Sequence, residues 1–227
     1  MSSVQLGQLS AITVGDPAAP IAVVVLHGRE MCGADLAPFA ATLANDAYWL
    51  FPDAPIVAGP RTDRALARTW WPIDSEARIR ALEAGPLELS QMDPPGRAEA
   101  RAALDSFVTC LQAPRIVYVG FSQGGMLAVD YILHGGRRPA ALALASSTRI
   151  AIADWQPRAA VLRGLPVLVA HGHADAELAF AAGEQLRDFA IAGGAEVTWL
   201  PFEGGHEMPF VVWRALKKLV RGLVEQV

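Results

Sequence analysis

Tyr118-Val119-Gly120-Phe121-Ser122-Gln123-Gly124-Gly125 joins an apolar run, Arg115–Phe121, to an amphipathic stretch, Gly124–Leu133. The run has the length and β-branched content of a strand buried on both faces, and the stretch after it has helical spacing. A strand that turns into a helix within a residue or two needs small residues on both sides of the turn, because the two backbones nearly touch. Gly120 and Gly124 supply them. Ser122 then occupies the apex, with its hydroxyl above the sheet edge and beside the unpaired N–H groups of the new helix. About one chain in ten of this length would carry Gly-x-Ser-x-Gly by chance, so the strand–turn–helix setting is what gives the spacing meaning. A plain connection with an incidental serine is the bland alternative.

Working outward, the same rhythm repeats. Ile21–His27, Tyr48–Phe51, Ala140–Ala145, Pro166–Ala170 and Glu196–Leu200 read as strands. Ala34–Asn45, Arg97–Leu111, Leu178–Ala192 and Phe210–Val224 read as helices, and Ser75–Ala84 as a shorter one. Strands that are continuously apolar and alternate with helices predict an α/β fold, with a mostly parallel central sheet and helices on both faces. The rhythm breaks between Pro52 and Pro95, a stretch rich in Pro, Gly, Arg and Asp that holds Trp70-Trp71-Pro72. Long irregular stretches in compact domains are usually functional loops. No repeat or domain boundary is evident, and 227 residues suit one domain over 1–227 better than two.

Composition narrows the function. Hydrophobic residues at 52% exclude a disordered chain. A net charge of −4 offers no basic field for nucleic acid. Arg137-Arg138 and Lys217-Lys218 read as solvated faces. Cys32 and Cys110 have neither disulfide nor zinc spacing. No secretory signal opens the chain, and Ile21–Leu26 is too short to cross a bilayer, so a cytoplasmic protein without membrane insertion is expected.

A serine hydroxyl becomes a good nucleophile only when a base takes its proton, and the usual base is a neutral imidazole. Of the five histidines, His27 ends an early strand, His134 ends a helix, and His171 and His173 follow a late strand. Only His206, in Glu203-Gly204-Gly205-His206-Glu207, lies between the last strand and the last helix, where a nucleophile elbow of this kind finds its base. The acid should follow a strand between Ser122 and His206. Asp175 in His171-Gly172-His173-Ala174-Asp175 is the favoured candidate and Asp154 the competitor. Two backbone N–H groups should face the developing oxyanion: that of Gln123, after the nucleophile, and one from the early loop His27-Gly28-Arg29-Glu30, for which Arg29 is the candidate. Trp70 and Trp71 could wall an acyl pocket sized for short or medium chains, with Glu30 making its entrance polar; both rings packing as core is the alternative. No metal is expected, the nearest approach to a ligand set being His171, His173 and Asp175.

These pieces, in this order, resemble the phospholipase/carboxylesterase family of the α/β-hydrolase fold, which includes acyl-protein thioesterases. Leu26-His27-Gly28-Arg29, Phe51-Pro52-Asp53-Ala54-Pro55, Thr69-Trp70-Trp71-Pro72, Gly120-Phe121-Ser122-Gln123-Gly124-Gly125, His171-Gly172-x-x-Asp175 and Gly205-His206-Glu207-x-Pro209 carry the resemblance along nearly the whole chain. It implies a Ser122-Asp175-His206 triad, an oxyanion hole from Arg29 and Gln123, esterase or thioesterase activity on a small-molecule ester without a cofactor, and often a homodimer. The chain departs from the family at Ala176-Glu177-Leu178-Ala179, where Pro-Val-Val-Pro is common, and at Glu30, where its subgroup commonly has Gly. An acyltransferase, lactone hydrolase or peptidase would use the same constellation, since each begins with acyl transfer to serine. A non-catalytic binding protein on the same scaffold would be expected to have lost one of the three residues.

Overall fold

The computed structural model describes residues 1–43, 47–60 and 66–225, with 41–43 as backbone. Its strands are β1 (Ser2–Leu6), β2 (Leu9–Val14), β3 (Ile21–Leu26), β4 (Ala47–Pro52), β5 (Ile56–Pro60), β6 (Leu66–Thr69), β7 (Arg115–Phe121), β8 (Ala141–Ala145), β9 (Pro166–Gly172) and β10 (Glu196–Phe202). Its helices are α1 (Gly33–Leu43), α2 (Ser75–Glu83), α3 (Arg97–Val108), α4 (Gln123–Leu133), α5 (Ile152–Trp155), α6 (Phe180–Ala192) and α7 (Phe210–Val224). A 3-10 stretch, Gln156–Leu162, follows α5. The expected end of the first helix at Asn45 falls outside the described residues.

The strands form one sheet in the order β1-β2-β4-β3-β7-β8-β9-β10. From β4 to β10 the pairing is parallel, and β1 and β2 add an antiparallel edge. Every residue of β3 is buried, which is why its sequence lacks polar alternation. Its side chains still divide by face. Ala22, Val24 and Leu26 join the core beneath α3, α4 and α6, whereas Ile21, Val23 and Val25 join the core shared with α1 and α7. The layered α/β architecture is the one the sequence predicts.

Several features depart from the reading. β1 and β2 are absent from it, because Ser, Gln and Thr interrupt short half-exposed strands. Inside the stretch expected to be irregular, β5 and β6 pair as an antiparallel ribbon. The Arg137-Arg138 pair is also more than a solvated loop. Arg137 donates to the Leu111 and Ala113 carbonyls at 3.1 and 2.6 Å, and Arg138 to those of Val161 and Arg163 at 2.5 and 2.6 Å.

Parallel pairing sends the loops after β3, β7, β9 and β10 to one edge of the sheet. Those loops carry Arg29, Ser122, Asp175 and His206 respectively. The helix that starts at this edge, α4, is anchored from behind by a buried ionic cluster. Asp130 has no exposed side-chain surface and accepts from Arg97 Nη1 and Arg101 Nη1, each at 2.5 Å, and from Trp155 Nε1 at 2.7 Å. Arg97 Nη2 continues to Asp154 at 2.9 Å, and His134 Nε2 lies 3.0 Å from the same carboxylate. Asp130→Ala strands two guanidinium groups and an indole N–H, and is expected to cost about 3–5 kcal/mol. Urea unfolding at neutral pH measures this, and a loss under about 1 kcal/mol would contradict the assignment of Asp130 as the anchor.

Candidate active site

β7 ends in Phe121 and α4 begins at Gln123, so Ser122 alone makes the turn. Its backbone sits at φ 51°, ψ −118°, a conformation that L residues rarely adopt. The reason is the closeness of the strand to the helix. A β-carbon on Gly120 would lie 2.3 Å from the Gly125 Cα, and one on Gly124 would lie 2.2 Å from the Leu26 carbonyl oxygen. The strained turn is tied down on both sides. The Ser122 N–H donates to the Ala145 carbonyl at 3.0 Å, and the Ser147 hydroxyl donates to the Ser122 carbonyl at 2.9 Å.

His206 comes from the loop between β10 and α7. Its Nε2 lies 2.9 Å from Ser122 Oγ and its Nδ1 lies 2.8 Å from Asp175 Oδ2. An ionised Asp175 can only accept, so Nδ1 carries the proton and Nε2 is left to accept from the serine hydroxyl. Two loop contacts fix this placement. Ser146, itself at φ 44°, donates its hydroxyl to the Glu207 carbonyl at 2.9 Å, and the Ala174 N–H donates to the Gly204 carbonyl at 2.9 Å. The structure thus brings together Ser122, His206 and Asp175. Asp154 is instead engaged by Arg97 and His134.

Asp175 is held from several sides. Its Oδ1 accepts from the Glu177 and Leu178 N–H groups, each at 2.9 Å. His171, fully buried, presents Nε2 at 3.1 Å from Asp175 Oδ2 and at 2.9 Å from the Leu178 carbonyl. Burial alone would raise the Asp175 carboxyl, but the bonds from His171, His206 and the Leu178 N–H outweigh it and hold the group well below the usual carboxylate range. Gly183 makes room for the His171 ring, since a β-carbon there would fall 2.4 Å from Nδ1. The sequence places His171 at a strand end near Asp175 but assigns it no part in holding that carboxylate.

Arg29 lies in a loop whose shape is set by its neighbours. Glu30 takes φ 59° and donates its N–H to the Arg68 carbonyl at 2.7 Å, so a residue with a β-carbon occupies a left-handed position that favours glycine. Gly28 accepts at its carbonyl from His27 Nδ1 at 2.7 Å, and His27 Nε2 accepts from the Ala54 N–H at 3.0 Å. That pair of bonds requires a neutral imidazole. Gln123 supplies the first N–H of α4, which has no partner within the helix. Its side chain is turned away and accepts from the Thr69 hydroxyl and the Trp70 N–H, each at 3.0 Å.

Ser122, His206, Arg29 and Gln123 open onto a cavity of about 790 Å³. Its lining includes the apolar Leu87, Leu89, Met92, Met126, Ile150 and Leu178 and the charged Arg29, Glu30, Asp74, Arg78, Glu88 and Glu177. Trp71 and Glu30 line it, whereas Trp70 does not. The expectation for Trp70 is therefore corrected: its ring packs 5.3 Å from that of His27, and its Nε1 donates to the His27 carbonyl at 2.9 Å. Asp130, His134 and Asp154 place ligand atoms within 4.8 Å of one another, a grouping not foreseen from spacing. Arg97 and Arg101 already neutralise those carboxylates, so a metal ion would have to displace a guanidinium group. Among the described residues no helix is long and apolar enough to cross a membrane.

The phospholipase/carboxylesterase family profile matches residues 98–222. Among solved structures, esterase PE8 is similar over 95% of this chain and 99% of its own, with 24% identity and a TM-score of 0.76. Acyl-protein thioesterase 2 from Zea mays matches over 94% and 98%, with 18% identity and a TM-score of 0.71. A phospholipase/carboxylesterase from Dyadobacter fermentans DSM 18053 matches over 97% and 100%, with 19% identity and a TM-score of 0.67. At these identities the structural likeness is one of fold, the α/β-hydrolase fold.

The buried His27 carries a pH prediction. Desolvation by burial lowers its pKa from 6.5 to about 4. The unfolded chain therefore binds the proton first as pH falls. The stabilisation is fully present above pH 6.5 and is lost as pH drops toward 4, by about 3 kcal/mol in all. Urea unfolding of the wild type and His27→Gln at pH 7 and pH 4.5 should show a smaller acid loss in the variant, since glutamine does not titrate. Equal losses would contradict the burial argument.

Proposed function

The chain belongs to the phospholipase/carboxylesterase family, and from that premise we propose that it hydrolyses carboxylic esters through an acyl-enzyme on Ser122. The observation that carries the reading is the unbroken relay Ser122–His206–Asp175 at the mouth of a cavity, with Ser122 in a strained turn. In this reading His206 Nε2 takes the Ser122 proton as Oγ attacks the ester carbonyl, then gives it to the departing alkoxide. Water enters next, and His206 acts again as base and acid to release the carboxylate and restore the serine. Asp175 keeps the imidazole in the required tautomer and stabilises the imidazolium. The Gln123 and Arg29 N–H groups hold the oxyanion, aided by the positive end of α4. A thioester presents the same carbonyl to the same groups, and no step calls for a cofactor.

The acyl chain is proposed to lie along the apolar lining, Leu87 to Met92 and Met126, with Trp71 as the wall nearest the reacting centre. Short and medium acyl chains suit this lining, because charged side chains stand among its apolar ones.

Ser122→Ala, His206→Ala and Asp175→Ala should each lower kcat by about 10³ or more, while Asp154→Ala stays within about tenfold. A p-nitrophenyl ester series assayed below micelle formation should peak between about two and eight acyl carbons, each methylene in the apolar slot adding roughly 0.8 kcal/mol or less. Trp71→Ala should move the peak to longer chains, and Trp70→Ala should lower stability without moving it. A large loss at Asp154 with little at Asp175, or a steady rise past twelve carbons, would overturn the corresponding assignment.

A further inference from the structure

The loop that presents Asp175 also carries a second carboxylate over the base. Asp175 Oδ1 accepts from the Glu177 N–H, and the Glu177 carbonyl accepts from the Leu87 N–H at 2.8 Å, so the Glu177 backbone is pinned from two sides. Its Oε2 lies 3.8 Å from His206 Nε2, the same nitrogen that lies 2.9 Å from Ser122 Oγ. Two acceptors therefore face one nitrogen. Once the serine proton has moved to Nε2, a free carboxylate there competes with the leaving alkoxide for that N–H. It also places negative charge next to the oxyanion.

Arg78 meets this carboxylate. It reaches down from α2 and pairs through Nη2 with the same Oε2 of Glu177. The Arg78 side chain is only 14% exposed, against 43% for Glu177, so the guanidinium is the more enclosed partner. Burial and the nearby Arg29 charge disfavour its charged form, and Glu177 and Glu30 offset them only in part. Such a site is stable only while the carboxylate stays on the guanidinium. α2 buries none of its residues, so it has little apolar anchorage of its own. The Arg78–Glu177 pair thus also ties α2 across the cavity that Ala77, Arg78 and Ala81 line.

We propose that Arg78 is a positioning residue that keeps the Glu177 carboxylate away from His206 Nε2. The inference rests on the triad reading given above, and it makes the two charges interdependent: the damage done by removing Arg78 passes through Glu177.

A double-mutant cycle on the full chain tests this, with p-nitrophenyl butyrate as substrate. Arg78→Gln should lower kcat about tenfold with KM changed less than about threefold, and Arg78→Lys should keep most of the activity. In a Glu177→Gln background the same Arg78→Gln change should cost less than about threefold, because no carboxylate remains to capture the base. Thermal unfolding should show all variants folded, since α2 contributes no core residue. If Glu177→Gln alone loses as much activity as Arg78→Gln, the pair only fastens α2 and the inference is overturned; it is overturned too if Arg78→Gln is as harmful in the Glu177→Gln background as alone, or acts mainly by raising KM. Full activity in Arg78→Gln alone overturns it equally. Ser122→Ala in the same assay separates the levels. If Ser122→Ala is inactive and rescue fails, this inference alone falls. If Ser122→Ala turns over, the triad reading falls and takes the inference with it.

Discussion

The backbone of Ser122 is the constraint on which the rest of the site depends. A left-handed, non-glycine residue between a buried strand and a helix costs on the order of 1–3 kcal/mol. It persists because β7 and α4 are each fixed independently. β7 is hydrogen-bonded between β3 and β8, and α4 is packed into the core and anchored through Asp130. Gly120 lets β7 and α4 approach, and Gly124 lets α4 sit against the end of β3, to distances that a β-carbon would forbid. The serine is thereby lifted off the sheet edge, where the loops after β9 and β10 bring Asp175 and His206 to it.

Strain recurs around this point. Of the four non-glycine residues at positive φ among the described residues, Ser122, Ser146 and Glu30 border the site. Ser146 holds the loop of His206 by its hydroxyl, and Glu30 closes the loop of Arg29 by its N–H. Each is over-determined by hydrogen bonds to neighbouring elements, which is how local strain survives in a folded chain. Electrostatics follow the same logic. Asp175 is satisfied by two histidines and two backbone N–H groups, so it can stay ionised while buried. Buried His27, by contrast, is kept neutral and serves as a donor–acceptor strut beneath the loop of Arg29.

Much of this was legible in the sequence because it is local. Runs such as Ile21–Leu26 and Arg115–Phe121 are apolar throughout, since both faces of the central sheet are covered, and that pattern is hard to mistake. Ser122, Asp175 and His206 could be singled out because each lies at the end of a recognisable strand. What stayed hidden depends on long-range packing. β1 and β2 form a half-exposed edge with ordinary polar residues, and β5–β6 lie among prolines and glycines that signal loop. Trp70 and Trp71 are adjacent, yet only the fold decides that one supports His27 while the other lines the cavity. His171, Arg78 and Glu177 acquire meaning only when β9, α2 and the base are brought together. The cluster of Arg97, Asp130 and Asp154 joins residues 33 and 57 positions apart, beyond any local pattern.

The central claim is that Ser122 is the nucleophile that the relay activates. A fluorophosphonate probe tests it most directly, since phosphorus is attacked by the same Oγ that would attack a carbonyl. Labelling of the full chain, followed by intact mass and peptide mapping, should give one adduct per chain on the peptide containing Ser122, and His206→Ala should slow it strongly. An adduct on another serine, or none on folded protein, would contradict the account.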